Sequence, residues 1–391
     1  MQARMTMWTY SAVAVMAVTA SVSAAPTKVG EERPYSLTSP AEYPFGPAHR
    51  EVTWSETVAS PGATFLRLHF EKFNLPPGDY LTVSSPDGSD FWTYTGQGTL
   101  GTGEFWSFIV ESDRAVVELH SGTPPAETAR GEHYGFVVDR IAHGTVSLSG
   151  DGAEAPTPDV ICGTDGRRNA ACYTFNTKPV ARLAFQSGGS SYLCTGWLVA
   201  GSNSSTMLTN NHCFKTQSEV NTVQARFNYQ YSACTGTTLA TYSSYNGGTF
   251  LKTSSGLDYT LLTLLGNPEA TWGEYTATSK SLTVGTLIHF PQHPGGQPKK
   301  VGYYEDSAQT TRCKLATVNA TYGTSTAGSQ TGYGCDSEGG SSGSPIVETA
   351  TGRVVGLHHY GGVSSSPCLN SATQMRQICS NAGSLLSCAT N

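Results

Sequence analysis

Gly340-Ser341-Ser342-Gly343-Ser344-Pro345 places a serine between two glycines. Glycine reaches backbone torsions closed to other residues and lets a substrate and backbone N–H groups come close. A nucleophile loop needs both properties. Free serine is a poor nucleophile, so this stretch carries chemistry only if a base and an orienting acid stand elsewhere in the chain. Without them it is a Gly/Ser-rich surface turn.

A base stands upstream. Thr209-Asn210-Asn211-His212-Cys213 follows the apolar run Thr195-Gly196-Trp197-Leu198-Val199-Ala200 and a short turn. Histidine accepts and returns a proton near neutral pH. A lone histidine is more often structural, but Cys213 can pair with Cys194 and pin the His212 loop to the preceding strand. Closing a loop of that size contributes roughly 3 kcal/mol. Between His212 and Ser342 the only aspartates are Asp258, Asp306 and Asp336. Asp258 heads the strand-like run Asp-Tyr-Thr-Leu-Leu-Thr-Leu-Leu, where a carboxylate can be buried against an imidazole and hold its tautomer. Asp306 sits in a polar Glu-Asp-Ser loop and reads as solvated.

The order His212, Asp258, Ser342, with spacings of 46 and 84 residues, resembles the chymotrypsin-like serine proteases. Within them the chain is similar to the secreted lysyl endopeptidases. Asp159-Val160-Ile161-Cys162 followed by Asp165-Gly166-Arg167-Arg168 looks like their mature start. Phe227-Asn228-Tyr229-Gln230, Asp258 to Leu262 and Gly340 to Ile346 match in the same order. The resemblance covers about residues 159–362 and implies a double β-barrel. It also implies a triad in which Ser342 attacks, His212 shuttles the proton and Asp258 orients His212, with backbone N–H groups of Gly340 and Ser342 as the oxyanion hole. It suggests a Cys162–Cys234 disulfide. A Cys313–Cys335 disulfide is a further expectation, and Cys172, Cys368, Cys379 and Cys388 are left unpaired.

Two departures qualify the resemblance. Chymotrypsin-like zymogens carry Asp just before the nucleophile to capture a newly cut amino terminus, and this chain has Ser341 there. From Gly362 to Asn391 there is no Asp or Glu, although the lysyl endopeptidases are expected to place their lysine-binding acid in that region. Asp336 lies six residues before Ser342 and is followed by Ser337, an offset at which trypsin-like enzymes floor the primary pocket. A buried carboxylate there would pair with a Lys or Arg side chain. The segment His358-His359-Tyr360-Gly361 is expected to form the pocket wall, and His358 matches a histidine that glutamyl endopeptidases carry. Basic, acidic and neutral preferences stay open at this point, with Lys/Arg as the working expectation.

The rest of the chain reads as an all-β, extracellular protein. Only 13% of the 391 residues are charged, and there are 43 glycines. Residues 1–25 read as a signal peptide: Arg4, a short apolar core over Ala12 to Val22, and small residues for cleavage at Val22 to Ala25. Residues 26–144 show short apolar runs at Phe65–Phe70, Tyr80–Val83, Phe91–Tyr94, Phe105–Val110, Ala115–Leu119 and Phe136–Ile141, separated by turn signals. That spacing predicts a small β-sandwich, serving as an accessory or pro-domain. Residues 145–158 read as a Pro/Gly-rich linker and a place for processing, and 159–391 as the protease domain. All ten cysteines lie between Cys162 and Cys388, and an even count behind a signal peptide predicts disulfides.

The net charge of −6 gives no reason to expect nucleic acid or an anionic membrane as partner. The expected partners are protein or peptide substrates of a secreted monomer. No cofactor or metal is expected: His358 and His359 point to opposite faces of a strand, and Pro291 and Pro294 break any helix that would align His289 with His293. The competing functional readings are a protease-like protein that only binds, which loss of a triad residue would favour, and a main role for the first domain as a binding module.

Overall fold

The structure is a computed structural model that describes residues 25–41, 43, 52–121, 133–148, 160–365 and 367–390. The signal-peptide reading (but for Ala25) and most of the linker reading lie outside the described residues. The fold is all-β, as expected.

Six strands close the first barrel. Val180–Ser187, Gln224–Phe227, Ser243–Ser254, Tyr259–Leu264, Thr206–Thr209 and Ser190–Leu198 follow one another in hydrogen-bonded order, and the last pairs back onto the first. Gly188 and Gly189, both at positive φ (54° and 77°), join the strands that close it; two such torsions are what a two-residue hairpin turn demands. Leu183, Phe185, Leu198, Phe214, Phe227 and Leu262 fill the interior.

The second barrel uses Leu315–Ala320, Gln330–Tyr333, Cys368–Gln374, Val354–Ser365, Pro345–Glu348, Ile288–Gln292, Lys300–Gly302 and Arg167–Asn169 in that order. Backbone bonds from Ile288 N–H to Cys313 O (3.0 Å) and from Leu315 N–H to Thr286 O (2.9 Å) bring its first strand back to Ile288–Gln292. A third apolar cluster, including Trp197, Leu208, Tyr259, Val347, Leu357 and Met375, joins the two barrels. His212, Asp258 and Ser342 stand on loops at the ends of strands that supply this cluster.

The amino-terminal part is the expected sandwich. Val52–Ala59, Arg114–His120, Tyr80–Ser84 and Phe91–Thr95 form one sheet, and Thr27–Thr38, Gly135–Gly144, Leu66–Asn74 and Phe105–Trp106 lie in the other. Leu68, Phe70, Val83, Tyr94, Val117 and Ile141 share the core between them. The sandwich is not a separate bead on a linker. Thr27–Thr38 pairs with Gly135–Gly144 on one side and with the barrel strand Ser190–Leu198 on the other, from Thr27↔Leu193 to Glu31↔Ser190, so one ten-stranded sheet runs through both parts.

Five disulfides are present among the described residues. Cys194–Cys213 and Cys313–Cys335 form as expected. The Cys162–Cys234 expectation is corrected: Cys162 joins Cys368, Cys172 joins Cys234, and Cys379 joins Cys388. The reason lies in where each segment is held. Cys162 N–H and Gly166 N–H both donate to the Asp336 carboxylate at 2.7 Å, which sets Cys162 against the second barrel beside Cys368. Cys172 follows a short turn whose Asn169 amide donates to Cys234 O (3.0 Å), so Cys172 is the cysteine that faces Cys234.

Candidate active site

Asp258 and His212 meet across two adjacent strands. Asp258 sits at φ +47°, just before Tyr259–Leu264; aspartate tolerates this left-handed conformation better than most residues. His212 follows the end of Thr206–Thr209. Asp258 Oδ1 accepts from His212 backbone N–H (2.9 Å), and Oδ2 lies 2.8 Å from His212 Nδ1. Asn210 donates its side-chain amide to Asp258 O (2.8 Å) and locks the two loops together. With Nδ1–H given to the carboxylate, Nε2 is the acceptor nitrogen of a neutral imidazole. It is buried and has no hydrogen-bond partner among the described residues. Burial by itself would raise the Asp258 carboxyl. The hydrogen bonds from His212 and His359, and the positive charge either ring carries when protonated, overturn that effect and hold it well below the usual carboxylate range.

Ser342 is 6% exposed and rests on the first barrel through its carbonyl, which accepts from Thr195 N–H (2.8 Å). Thr195 Oγ1 donates to Gly340 O (2.8 Å). Thr195 follows Cys194, whose disulfide to Cys213 fixes the residue after His212. One strand therefore carries anchors for both the serine loop and the histidine loop. Gly343, at φ +89°, packs so closely that a Cβ there would lie 2.1 Å from Thr195 O, and Gly340, at φ +94°, lies against Gly296 N and His293 O. The loop is compact because glycine alone fits both positions. Ser341 N–H donates to Glu338 O, Gly343 N–H to His358 O and Ser344 N–H to Ser341 O, each at 3.0 Å. The N–H groups of Gly340 and Ser342 have no acceptor among the described residues.

The expected pocket residues separate. Asp336 is enclosed and gives both oxygens to the Cys162 and Gly166 N–H groups, so it holds the start of the protease fold and does not present a carboxylate to a substrate. Burial pushes this carboxyl up to about 6 against the pull of the two N–H bonds. Ser337, next to it, is enclosed with its hydroxyl unpartnered among the described residues. His358 is fully buried, with Nδ1 2.6 Å from Tyr333 Oη and its ring tilted over Phe290. His359 faces the other way, as strand alternation predicts. Its Nδ1 lies 3.3 Å from Asp258 Oδ2, and its Nε2 meets the Gln330 side-chain oxygen. The Tyr360 ring lies tilted beside His359 and Gly361 is half-buried. Ser341, in the place of the zymogen aspartate, donates its hydroxyl to Gln292 (2.6 Å).

A family model described as "Lysyl endopeptidase, C-terminal domain" matches residues 152–377, more than half of the chain. The chain belongs to that family. Lysyl endopeptidase from Pseudomonas aeruginosa is 28% identical over 314 residues, covering 75% of this chain and 64% of that protein, so the chain spans just under two thirds of that relative. Secreted RxLR effector protein 73 from Plasmopara viticola is 29% identical over 320 residues, covering 77% of this chain and 75% of that protein. Among solved structures, a Glu endopeptidase in complex with MPD is 22% identical at a TM-score of 0.39, covering 57% of this chain and 100% of that one. The active form of Rv3671c protease from M. tuberculosis is 12% identical at 0.40, covering 62% and 97%.

In this lysyl endopeptidase-family chain the sequence reading missed Asn210, Thr195 and Gln330 and gave His359 another place. Asn210 and Thr195 act through a hydrogen bond to a backbone oxygen, a role any Asn or Thr can take and no spacing marks. His359 was expected on the pocket wall, but the structure brings it to Asp258. Gln330, which meets His359, lies on a different strand and carries no local signal.

Proposed function

We propose that this protein is a secreted serine endopeptidase. Ser342 Oγ attacks the carbonyl carbon of the scissile bond and its proton passes to His212 Nε2. Asp258 holds the imidazole tautomer and stabilises the imidazolium, and the N–H groups of Gly340 and Ser342 receive the negative oxygen. The imidazolium then protonates the leaving amine. Water, activated by the same nitrogen, releases the acyl group from Ser342. The two-point hold of Asp258 on His212, leaving Nε2 as a buried unpartnered acceptor, is the observation that carries this reading. Hydrogen bonds between nucleophile and base are often open in ligand-free enzymes and tighten with substrate. Family membership and the name of the secreted relative support peptidase activity and export. In the test, Ser342→Ala removes casein hydrolysis and labelling by an active-site serine phosphonate while the far-UV spectrum stays unchanged. An alanine variant that cleaves casein at the wild-type rate would falsify the nucleophile assignment.

A second reading concerns only the residue cut after. The Lys/Arg expectation needed a pocket carboxylate, and Asp336 is engaged elsewhere. The acidic alternative rests on His358, which matches a histidine of the glutamyl endopeptidases and is held by Tyr333 Oη on its Nδ1 side. Cleavage of a peptide library separates the two: cuts mainly after Glu support the histidine, and cuts mainly after Lys or Arg refute it.

A further inference from the structure

A buried cluster of charges joins the amino-terminal part to the first barrel. Arg182 and Arg226, each with a side chain 1% exposed, lie side by side over Tyr229, with guanidinium carbons 4.1 and 5.3 Å from its ring centre. Both belong to the protease fold, and their acids belong to the amino-terminal part. Glu111 Oε1 accepts from Arg226 Nη1 at 2.7 Å and lies 3.6 Å from Arg182 Nη2. Asp90 Oδ1 lies 3.9 Å from Arg226 and accepts from Tyr242 Oη at 3.1 Å. Two buried guanidiniums repel each other unless an anion stands between them, and Glu111 is that anion.

Arg182 also reaches toward the serine loop. Its Nη1 donates to Gly296 O at 3.2 Å, in the turn Pro294–Gly296. In the same turn Gly295 N–H donates to Gly339 O at 2.7 Å. A Cβ on Gly340 would stand 2.9 Å from Gly296 N, so the turn and the loop touch backbone to backbone. Gly296, at φ +71°, is itself pressed on Leu193 of the barrel. The turn therefore has little room to move while Arg182 stays in place.

We propose that Glu111 of the amino-terminal part is a positioning residue for the oxyanion loop, acting through Arg182 and the Pro294–Gly296 turn. The proposal rests on the peptidase reading above and adds a residue that no protease motif contains. With Glu111 neutral, Arg182 is driven away from Arg226 and releases Gly296 O, and Gly340 N–H loses its fixed aim at the developing negative oxygen. An oxyanion donor acts on the transition state more than on bound substrate, so kcat falls while KM holds.

The test uses the full chain and a peptide that the wild type cleaves. Glu111→Gln lowers kcat about tenfold, within the two- to thirtyfold range of couplings carried through packed contacts, with KM within about twofold, and Glu111→Asp restores most of it. Arg182→Lys keeps the charge, loses the bond to Gly296 O and lowers kcat to a similar extent. The double variant is no slower than either single one, because both act on one path. Arg67→Met is the control: Arg67 Nη2 donates across the same junction to Thr222 O, away from the turn, so its loss lowers Tm and leaves kcat intact.

A Glu111→Gln chain with wild-type kcat overturns the proposal, and so does an Arg67→Met chain whose kcat falls as far. If Glu111→Gln does not fold, Arg182→Lys decides, and wild-type kcat there is refutation. A wild-type chain that neither cleaves peptides nor takes the phosphonate overturns the peptidase reading and this proposal with it, whereas an active wild type beside unaffected variants overturns this proposal alone.

Discussion

Replacing Asp336 with Asn separates two roles for the same carboxylate. As the floor of a primary pocket it would select Lys and Arg substrates; as placed in the structure it ties Cys162 and Gly166 to the loop before the nucleophile. Asn keeps one acceptor oxygen and turns an NH2 group toward the second N–H. One buried backbone donor is then orphaned, which costs roughly 1–3 kcal/mol. Relief from burying a charge offsets part of this, leaving a net loss of about 2 kcal/mol at pH 7. For a cooperative unit the size of the two barrels together that lowers Tm by about 4–8 °C.

The loss depends on pH in a defined sense. Burial raises the Asp336 carboxyl to about 6 in the folded chain, while the unfolded chain releases this proton near pH 4. Between those values the folded state holds more protons, so this site's contribution to wild-type stability falls as pH rises through the window. The Asn chain has no such dependence. The stability gap is therefore widest near pH 4 and narrows by about 1–2 kcal/mol by pH 7, after allowing for solvent screening. Melting both chains at pH 4.5 and 7.5, with cleavage ratios after Lys, Glu and Phe measured at 7.5, tests this. Unchanged ratios with a lower Tm are expected. An Asn chain with wild-type Tm whose cleavage after Lys and Arg drops a hundredfold would refute the structural role.

Two further outcomes are expected. Asp258→Asn keeps the hydrogen-bond geometry but favours the wrong His212 tautomer, and kcat falls on the order of 10⁴-fold; a loss under tenfold in steady-state assays would remove Asp258 from the triad. A foreign protease site placed at residues 151–157 and then cut leaves both fragments in one gel-filtration peak at 0.15 M salt, and elution as two species would show that the buried junction does not hold them.

The residues of the proposed triad were legible because each sits beside a local signal. His212 has Cys213, Asp258 heads an apolar strand, and Ser342 lies between glycines. The sandwich strands from Leu66 to Gly144 were legible for the same reason, since alternation or an apolar run is written in consecutive residues. Thr27–Thr38 was not. Its first eight residues, Thr-Lys-Val-Gly-Glu-Glu-Arg-Pro, have no apolar alternation, and what makes them a strand is two partners, one more than a hundred and one more than a hundred and fifty residues away. Asp336 shows another limit. Its offset from Ser342 gave the right neighbourhood, but the direction of its carboxylate is set by a segment some 170 residues upstream. Likewise, alternation puts His358 and His359 on opposite faces and does not say which face holds Asp258.

The same long-range contacts bear on how the site is assembled. A zymogen switch of the chymotrypsin type waits for a free α-amino group to pair with an aspartate before the serine. Here that position is Ser341, bonded to Gln292, and Gln292 donates in turn to Asp336 O. The Asp336 carboxylate is filled by backbone N–H groups inside the chain, at Cys162 and Gly166, and Cys162 is fastened to Cys368. None of these bonds needs a new terminus. Removing the amino-terminal part would instead strip Glu111 and Asp90 from Arg182 and Arg226, and a buried charge that loses its partner costs roughly 3–5 kcal/mol. That is a large share of the 5–15 kcal/mol or so by which domains are stable. The physical expectation is therefore that the serine loop forms in the uncut chain, and that a cut between the two parts divides the backbone without separating the two parts.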